Sequence, residues 1–280
     1  MRIQYASDLH LEFVKNRDYM RRRPLLPMGD VMVLAGDIVG NFDIYNDGMR
    51  DLMDFCADNF EATYWVPGNH EYYGFDIATK SGVINEAIRS NVFLVNNIAI
   101  EREHVRFVFS TMWSAISAEQ QWLVAKRLSD FYTIKFGDKL LTVEDYNALH
   151  RYCLAFIKGA LAVPFDGATV VVTHHVPTYM HYPEQYWGDG LNEAFAVELH
   201  DYIYGLGIDE EGGEKMGDME GEKVDCVGGQ KIFCPYWIYG HHHKNVAAFE
   251  IGKTKMLTNQ LGYVSYGEQK LFNREATIEL

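Results

Sequence analysis

The 280-residue chain is predicted to fold as an α/β protein, and three observations predict this class. Short runs of β-branched and aromatic residues recur along the chain, as they do in strands. Amphipathic stretches with helical periodicity lie between several of these runs. The chain is 48% hydrophobic and 23% charged, which is ordinary for a globular protein with a well-buried core. Strands that alternate with helices are typical of α/β folds.

Segments with the composition of strands run from the N-terminus to the C-terminus. They cover residues 3–6, 31–34, 64–66, 92–95, 105–109, 170–173, 236–239, 246–251, 255–258 and 276–279. The last three lie close together in the sequence. We therefore predict a second, more antiparallel sheet from the C-terminal part of the chain.

Four amphipathic segments between the strands are predicted as helices. They cover residues 47–60, 77–90, 142–161 and 191–204. The longest begins with Thr142 and Asp145, a spacing typical of a helix cap. We find neither an internal repeat nor a Pro- or Ser-rich linker, so we predict a single domain over residues 1–280. It carries an insertion at about 176–235, and the acidic part of that insertion, 209–222, is predicted to be a mobile surface segment.

Composition and charge argue against several classes of function. No apolar run approaches the roughly 18 residues that a membrane span needs, and the N-terminus runs directly into strand-like sequence. We therefore expect a cytoplasmic protein without a membrane partner. The four cysteines form no Cys-x-x-Cys pair and are expected to be reduced. A net charge of −14 makes nucleic acid an unlikely partner, but a small phosphorylated substrate is compatible with it, since metal ions add local positive charge.

Five short blocks of His, Asp and Asn residues carry the chemical signal of the sequence. They are Asp8-Leu9-His10, Gly36-Asp37, Gly68-Asn69-His70-Glu71, His174-His175 and Gly240-His241-His242-His243. Each block directly follows a predicted strand. Because the carboxyl ends of strands in an open α/β sheet meet at one crevice, we expect the blocks to lie together.

The residue types in these blocks indicate a metal site. Asp8 and His10 are two positions apart, as are His241 and His243, and such pairs point the same way on an extended chain. The donors are imidazole, carboxylate and one amide oxygen, without thiolate. This set suits Mn, Fe or Zn in a hydrolytic site better than a structural zinc site.

The order D-x-H, G-D, G-N-H-E, H and G-H-x-H resembles the calcineurin-like metallophosphoesterase superfamily, from residue 7 to residue 243. Further segments resemble a bacterial branch of that family. They are 111–114, 128–131 with Ile134, 237–240, and Asn259 with Gly262 and Tyr263. The resemblance implies a four-layer αββα sandwich, in which two mixed sheets are flanked by helices. It also implies a metal-dependent hydrolase that acts on a phosphomonoester or phosphodiester.

The resemblance further implies a role for each residue of the blocks. One metal ion would be held by Asp8, His10 and His243, the other by Asn69, His174 and His241, and Asp37 would bridge both. A hydroxide between the two ions would attack phosphorus, and His70 would be the general acid. Catalysis is thus assigned to His70, Asp37 and Asn69, with two divalent ions of Mn, Fe or Zn as cofactors.

Three questions stay open at this point. His174 and His175 are adjacent, and an exchange of their roles, with His175 as the ligand, is the alternative to His174. A nuclease that uses the same site is the first alternative function, and a non-catalytic interaction module on the same fold is the second. The run Arg21 to Arg23 is expected on a solvated loop, from which it would reach a phosphate only if the loop overhangs the crevice.

Four aromatic residues near the blocks or in the insertion are candidates to stack on a base or an aryl leaving group, or to pack in the ordinary way. They are Tyr72, Tyr73, Tyr186 and Trp187. The sequence does not specify the substrate, because loops such as 112–140 and 176–235 shape the pocket and carry no readable pattern.

Overall fold

The computed structural model of the protein describes residues 1–206 and 233–280. The strands are β1 (Arg2–Ala6), β2 (Val31–Ala35), β3 (Ala62–Val66), β4 (Ile84–Arg89), β5 (Val92–Asn96), β6 (Ile98–Arg102), β7 (Val105–Ser110), β8 (Lys135–Phe136), β9 (Lys139–Leu140), β10 (Ala168–Thr173), β11 (Tyr236–Tyr239), β12 (Phe249–Ile251), β13 (Thr254–Thr258) and β14 (Thr277–Glu279). The α-helices are α1 (Val14–Arg22), α2 (Asp47–Asn59), α3 (Gln121–Arg127), α4 (Asp130–Thr133), α5 (Val143–Ala162) and α6 (His200–Gly205).

Two six-stranded sheets form the centre of the fold. Their strand orders are β14-β1-β2-β3-β5-β4 and β12-β13-β11-β10-β7-β6. In each sheet the four inner strands are parallel, and an antiparallel strand lies on either edge. Strands β8 and β9 form a separate small hairpin.

The two sheets pack face to face with helices outside. Alternate residues of β2 show this arrangement, because side chains alternate between the two faces of a strand. Val31 and Val33 belong to an apolar cluster shared by strands of both sheets. Met32 and Leu34 belong to the cluster on the opposite face, with side chains of α2. On the outer face of the second sheet, a third cluster includes residues of α5 and α6. The predicted αββα sandwich of two mixed sheets is therefore confirmed.

The predicted helix at 77–90 is wrong. Only Ile77–Thr79 is helical, as one turn of 3-10 helix, and β4 follows. This strand pairs antiparallel with β5 along the edge of the first sheet, from Ile84 opposite Asn96 to Arg89 opposite Val92. Cross-strand hydrogen bonds thus override a helical pattern that was read from local spacing alone.

The predicted helix at 191–204 is only partly present. The chain forms one 3-10 turn at Asn192–Ala194 and then α6. Between them the backbone pairs with Val176, whose N–H donates to the carbonyl of Phe195 and whose carbonyl accepts from Val197. This pairing directs the segment toward the end of β10 and interrupts the helix. The sequence patterns also gave no indication of α1, α3, α4, β6, β8 and β9.

The C-terminal strands do not form a more antiparallel sheet of their own. Strands β12 and β13 extend the second sheet, whereas β14 pairs with β1 at the edge of the first. The acidic segment predicted at 209–222 lies outside the described residues. Within residues 1–206 and 233–280, no helix has the length and apolar character that crossing a membrane requires.

Candidate metal centre

The five blocks follow five inner strands of the two sheets. Asp8 and His10 follow β1, Asp37 follows β2 and Asn69 follows β3, and these are parallel neighbours in the first sheet. The other two blocks follow β10 and β11, which are parallel neighbours in the second sheet. The blocks therefore meet at one end of the sandwich, as the sequence predicted.

The backbone turns sharply at most of the proposed ligands. Left-handed φ angles occur at Asp8 (54°), His10 (48°), Asp37 (54°), His241 (81°) and His243 (53°). This conformation is uncommon for residues other than glycine and costs on the order of 1 kcal/mol or more at each position. Its concentration here indicates that the surrounding packing holds these side chains in place.

The glycines of the blocks are required by close approach to the ligands. A Cβ atom at Gly68 would lie under 3.0 Å from Oδ1 of Asp37 and Nε2 of His174. A Cβ atom at Gly240 would lie 2.5 Å from Oδ2 of Asp8. No other residue fits at these two positions without displacing a proposed ligand.

The first cluster of donor atoms joins Asp8, His10, Asp37 and His243, whose candidate ligand atoms all lie within 4.8 Å of one another. The Nε2 atoms of His10 and His243 are 2.9 Å apart. Nε2 of His243 lies 3.4 Å from Oδ1 of Asp8, and Nε2 of His10 lies 3.8 Å from Oδ2 of Asp37.

The second cluster is centred on His174. Its Nε2 atom lies 3.4 Å from Oδ2 of Asp37, 3.0 Å from Nδ1 of His241 and 3.2 Å from Oδ1 of Asn69. Asp37 belongs to both clusters, and the same oxygen atom, Oδ2, faces His10 and His174. The two groups of donors are thus joined through one buried carboxylate.

Outer hydrogen bonds engage Nδ1 of each histidine in the first cluster and leave Nε2 as the nitrogen that can bind a metal ion. Nδ1 of His10 lies 3.1 Å from Oε1 of Glu12, and Nδ1 of His243 lies 2.9 Å from Oε2 of Glu268. A carboxylate only accepts, so both Nδ1 atoms donate and both neutral rings carry a lone pair on Nε2. These two lone pairs face each other at 2.9 Å, an arrangement that suits a cation between them.

The second cluster has the same feature. Nδ1 of His174 donates to the carbonyl of Ala35, and Nε2 of His241 lies 3.4 Å from the carbonyl of Ala194. The facing atoms, Nε2 of His174 and Nδ1 of His241, are therefore both bare in the neutral rings. The donor set of each cluster thus fits a metal ion.

An outer carboxylate also orients the amide in this cluster. Nδ2 of Asn69 donates to Oδ1 of Asp130 at 3.0 Å. With Oδ1 of Asp130 as the acceptor, this bond fixes the amide so that its oxygen faces His174. Asn69 thus presents an oxygen donor to the cluster.

Charges inside the centre are strongly coupled. Burial raises the pKa of Asp37, but the charges of His174 and His70 outweigh it and hold this pKa well below its usual range. Burial lowers the pKa of His174, but Asp37 and Asp8 raise it to about 9. His241 has a pKa well below its usual range because it is buried beside other histidines. Without a metal ion, the negative charge of the carboxylates is balanced by protonated histidines.

His70 lies beside the two clusters. Its Nδ1 atom is 2.8 Å from Oε1 of Glu12, and its Nε2 atom is 3.2 Å from the hydroxyl of Tyr263 and 4.0 Å from Oδ2 of Asp37. Burial lowers its pKa, but the charges of Asp37 and Glu12 raise it above the usual value. The neighbouring carboxylates therefore favour the protonated form of the imidazole that faces the space next to the centre.

Hydrogen bonds to Glu71 connect the backbones of the second and third blocks. Its buried carboxylate accepts from the backbone N–H groups of Asp37, Ile38, Val39 and Gly68, and from Nε1 of Trp65. Burial and the neighbouring charge of Asp37 raise its pKa to about 7. The carboxylate contacts the backbone and lies outside the two clusters, so it holds the turn that carries Asp37.

The structure separates the adjacent histidines. His174 points into the second cluster, whereas His175 contacts the hydroxyl of Tyr146 through Nε2 and the carbonyl of Thr111 through Nδ1. His242 likewise turns away from its neighbours, and its Nδ1 atom accepts from the side chain of Gln260.

Three outer carboxylates were missed by sequence analysis as functional residues. Glu12 follows His10 by two positions, so the alternation that paired Asp8 with His10 would also have indicated it. Asp130 was noted only within a segment of family resemblance. Glu268 has no local signal, because it reaches His243 from a separate 3-10 helix at Glu268–Leu271.

The arginine run does not reach the site. Arg21 and Arg22 belong to α1, where Arg21 pairs with Asp51 on α2 and Nε of Arg22 donates to the carbonyl of Asp18. The expectation of a loop is therefore wrong. None of the three arginines lines the space around the metal centre.

A cleft of about 370 Å³ opens onto the centre. Its walls include Asp37, Asn69, His70, His241 and His243. Two of the four aromatic candidates, Tyr73 and Tyr186, also line it. Tyr72 is fully buried in the core instead, and Trp187 is exposed outside the lining.

Comparisons with known proteins agree with this geometry. The calcineurin-like phosphoesterase family matches residues 1–245. An uncharacterized protein of Acanthamoeba polyphaga mimivirus is 28% identical over 99% of this chain and 96% of its own length.

Two solved structures resemble the chain. The phosphopantetheinyl hydrolase of Mycobacterium tuberculosis superposes with a TM-score of 0.64 at 14% identity, over 96% of this chain and 92% of that chain, and so shares the fold. A dimetal phosphatase from Danio rerio has a TM-score of 0.47 at 12% identity, over 93% of this chain and 87% of that chain. With its buried Asp and His clusters and a family match over most of its length, the chain belongs to the calcineurin-like phosphoesterase family and is a metal-dependent phosphoesterase.

Proposed function

We propose that the protein hydrolyses a phosphate ester with two divalent metal ions bound in the two clusters. Asp8, His10 and His243 hold one ion, and Asn69, His174 and His241 hold the other. Asp37 bridges the two. The observation that carries this proposal is the pair of facing imidazole nitrogens in each cluster, 2.9 Å and 3.0 Å apart, on either side of one shared carboxylate.

The donor chemistry favours Mn, Fe or Zn. Imidazole suits these metals, and the absence of thiolate among the donors argues against a structural zinc site. When bound, two divalent ions supply positive charge opposite the phosphate oxygens and lower the pKa of a bound water molecule toward neutrality. The bridging position of Asp37 and the separate donors on either side keep both ions at one end of the sandwich.

We assign proton donation to His70. The reaction breaks the bond between phosphorus and the leaving oxygen, and water supplies the new oxygen and releases a proton to solvent. The leaving oxygen takes a proton from Nε2 of His70, which solvent then replaces. Glu12 holds the other ring nitrogen at 2.8 Å, so that Nε2 stays directed toward the cleft. The charges of Asp37 and Glu12 raise the pKa of the ring in competition with burial, which favours its protonated form.

Metal analysis combined with ester hydrolysis tests this proposal. We expect two metal ions per chain and metal-stimulated release of nitrophenol from nitrophenyl phosphate or bis-nitrophenyl phosphate. His70→Asn should keep both metal ions and lose about 100- to 10,000-fold in kcat. Asp37→Asn should lose metal as well as activity, because it removes the charge shared by the clusters.

His200→Asn is the matched control, since this half-exposed histidine lies on α6 outside the cleft. Its activity should match that of the wild type. A metal-loaded protein that hydrolyses neither ester would contradict the proposal.

The two alternatives receive no support from the site. A nuclease would need cationic side chains for the backbone phosphates, and Arg21 to Arg23 lie outside the cleft. A non-catalytic module would not need the complete donor set together with His70. The nitrophenyl assay distinguishes that module from an enzyme.

A further inference from the structure

We propose that the cleft selects phosphate esters whose organic part is a flat ring and whose phosphate is the only anionic group. This inference rests on the proposed function, because the cleft walls can contact the organic part of the ester only if the metal centre binds its phosphate. It is carried by two properties of the cleft walls: their aromatic rings and the sign of their charges.

Aromatic rings lie on both sides of the metal centre. On one side, Phe195 stacks on His241 with ring centroids 4.6 Å apart, and Tyr182 lies 5.7 Å from His242. On the other side, Tyr263 packs edge-on against His243 at 4.4 Å. All three aromatic residues line the cleft. A group bonded to a phosphate at the centre is therefore surrounded by ring faces and edges.

Tyr266 extends the aromatic wall toward the mouth of the cleft. It lies at the end of the 3-10 helix Val264–Tyr266, with its ring 5.9 Å from that of Tyr263. Its side chain lines the cleft but is 79% exposed. A large exposed ring gains apolar contact when a flat group covers it, which is the contact that aromatic stacking provides.

The charges of the cleft walls disfavour a second anionic group. Among the residues that the structure describes, neither lysine nor arginine lines the cleft. Asp189 lies at the mouth, and Glu268 lies beside the first cluster with its carboxylate bonded to His243. A phosphate held at the centre can be balanced by the two metal ions. A second phosphate or a carboxylate nearer the mouth meets the carboxylate of Asp189 and, among the described residues, no lysine or arginine.

Binding of three phosphonates, which the enzyme does not hydrolyse, tests both properties. The probes are methylphosphonate, phenylphosphonate and 1,4-phenylenediphosphonate, titrated calorimetrically into the metal-loaded protein. We expect phenylphosphonate to bind about tenfold more tightly than methylphosphonate, because the ring gains aromatic contact. We expect the second phosphonate group to abolish that gain at low salt and to be better tolerated at high salt, where charges are screened.

Two variants assign the effects to named side chains. Tyr266→Ala should weaken phenylphosphonate about threefold or more and leave methylphosphonate unchanged, since only the ring contact is lost. Tyr45→Ala is its control, because Tyr45 is equally exposed at 81% but lies outside the cleft. Asp189→Asn should improve binding of the diphosphonate, and Glu184→Gln, which removes a nearby charge outside the cleft lining, should not.

The outcomes separate this inference from the proposed function. If nitrophenyl esters are hydrolysed but methylphosphonate binds as tightly as phenylphosphonate, the inference is wrong and the proposed function stands. If the diphosphonate binds more tightly than phenylphosphonate, the inference is also wrong. If the metal-loaded protein hydrolyses no ester, the proposed function fails and the inference fails with it.

Discussion

The Oε1 atom of Glu12 lies 2.8 Å from Nδ1 of His70, the side chain to which we assign proton donation. The same oxygen lies 3.1 Å from Nδ1 of His10, a proposed metal ligand. Burial raises the pKa of Glu12, but its hydrogen bonds to both histidines lower it to about 2, so the side chain is anionic. One carboxylate thus orients a ligand ring and the acid ring together.

Glu12→Gln should reduce kcat/KM for nitrophenyl phosphate about 10- to 100-fold, the usual effect of removing an outer partner of a metal ligand. The amide retains an acceptor oxygen but loses the negative charge that raises the pKa of His70 and strengthens the hydrogen bonds to both rings. The measurement is steady-state kinetics with both metal ions bound.

Glu275→Gln serves as the control for this variant, because Glu275 is an exposed residue outside the cleft. It should behave as the wild type does. Full activity of Glu12→Gln would show that the two rings are oriented without the carboxylate.

Asp130 should determine how tightly the second cluster holds its metal ion. Its Oδ1 atom accepts from Nδ2 of Asn69, which directs the amide oxygen toward His174. In Asp130→Ala the amide is free to rotate, so we expect metal affinity to fall about 10- to 100-fold. Asp130→Asn retains an acceptor oxygen and should restore most of the affinity.

Competition with a chelating dye measures the affinity of each variant. Thermal unfolding of the metal-free proteins provides a second measurement. If Asp130 had a purely structural role, both variants would be less stable than the wild type, and Asp130→Ala and Asp130→Asn would bind metal with the same affinity. Equal affinity of the two variants would therefore contradict the orienting role.

Gly68→Ala should prevent metal binding in an otherwise folded chain. The added Cβ would lie under 3.0 Å from atoms of Asp37 and His174, both of which are held by the turn and by buried packing. Gly159→Ala is the matched control, since a Cβ at this exposed position of α5 meets no atom within 4 Å.

The control should also become more stable, by about 1 kcal/mol, because alanine favours a helix over glycine. Metal content and the midpoint of thermal unfolding are measured for both variants. Gly68→Ala with two bound metal ions would show that the ligands have room to move.

Much of the site was predictable from the sequence because its residues come in blocks that follow strands. Five of the inner strands carry one block each at the carboxyl end, and all five were predicted. They are β1, β2, β3, β10 and β11. The outer partners were harder. Glu268 reaches His243 across a separate part of the chain, and such a contact depends on tertiary structure.

The fold was predictable where both faces of a strand are buried, because such strands are continuous apolar runs such as Val31–Ala35. It was not predictable at the edge of the first sheet formed by β4. The residues of β4 alternate poorly, with only Ile84 fully buried, and the strand exists because β5 offers free hydrogen-bonding groups. The helix prediction fails at segment 195–197 for the same reason. The pairing of this segment with Val176 involves backbone groups, which no side-chain pattern indicates.

The capping box of α5 was read correctly from Thr142 and Asp145, and it makes stability depend on pH. The carboxylate of Asp145 accepts from the N–H and hydroxyl of Thr142, and Nζ of Lys139 lies 3.0 Å from it. Burial raises the pKa of Asp145, but these partners outweigh it, so its pKa lies below the usual value. A group with a lowered folded pKa stabilises the protein above its unfolded pKa and loses that effect as pH falls through the folded value.

Asp145→Asn should therefore lower the free energy of unfolding of the metal-free protein at pH 7 by about 0.3–1 kcal/mol, the usual range for a charge at a helix N-terminus. The difference from wild type should shrink below about pH 4, where the wild-type carboxylate also becomes protonated. Urea unfolding at pH 7 and at about pH 3 measures this difference in the free energy of unfolding. Asp166→Asn, in an exposed loop outside the helices, should change stability by less than about 0.5 kcal/mol at either pH. A difference for Asp145→Asn that persists unchanged at acid pH would mean that the carboxylate's charge does not stabilise the helix end.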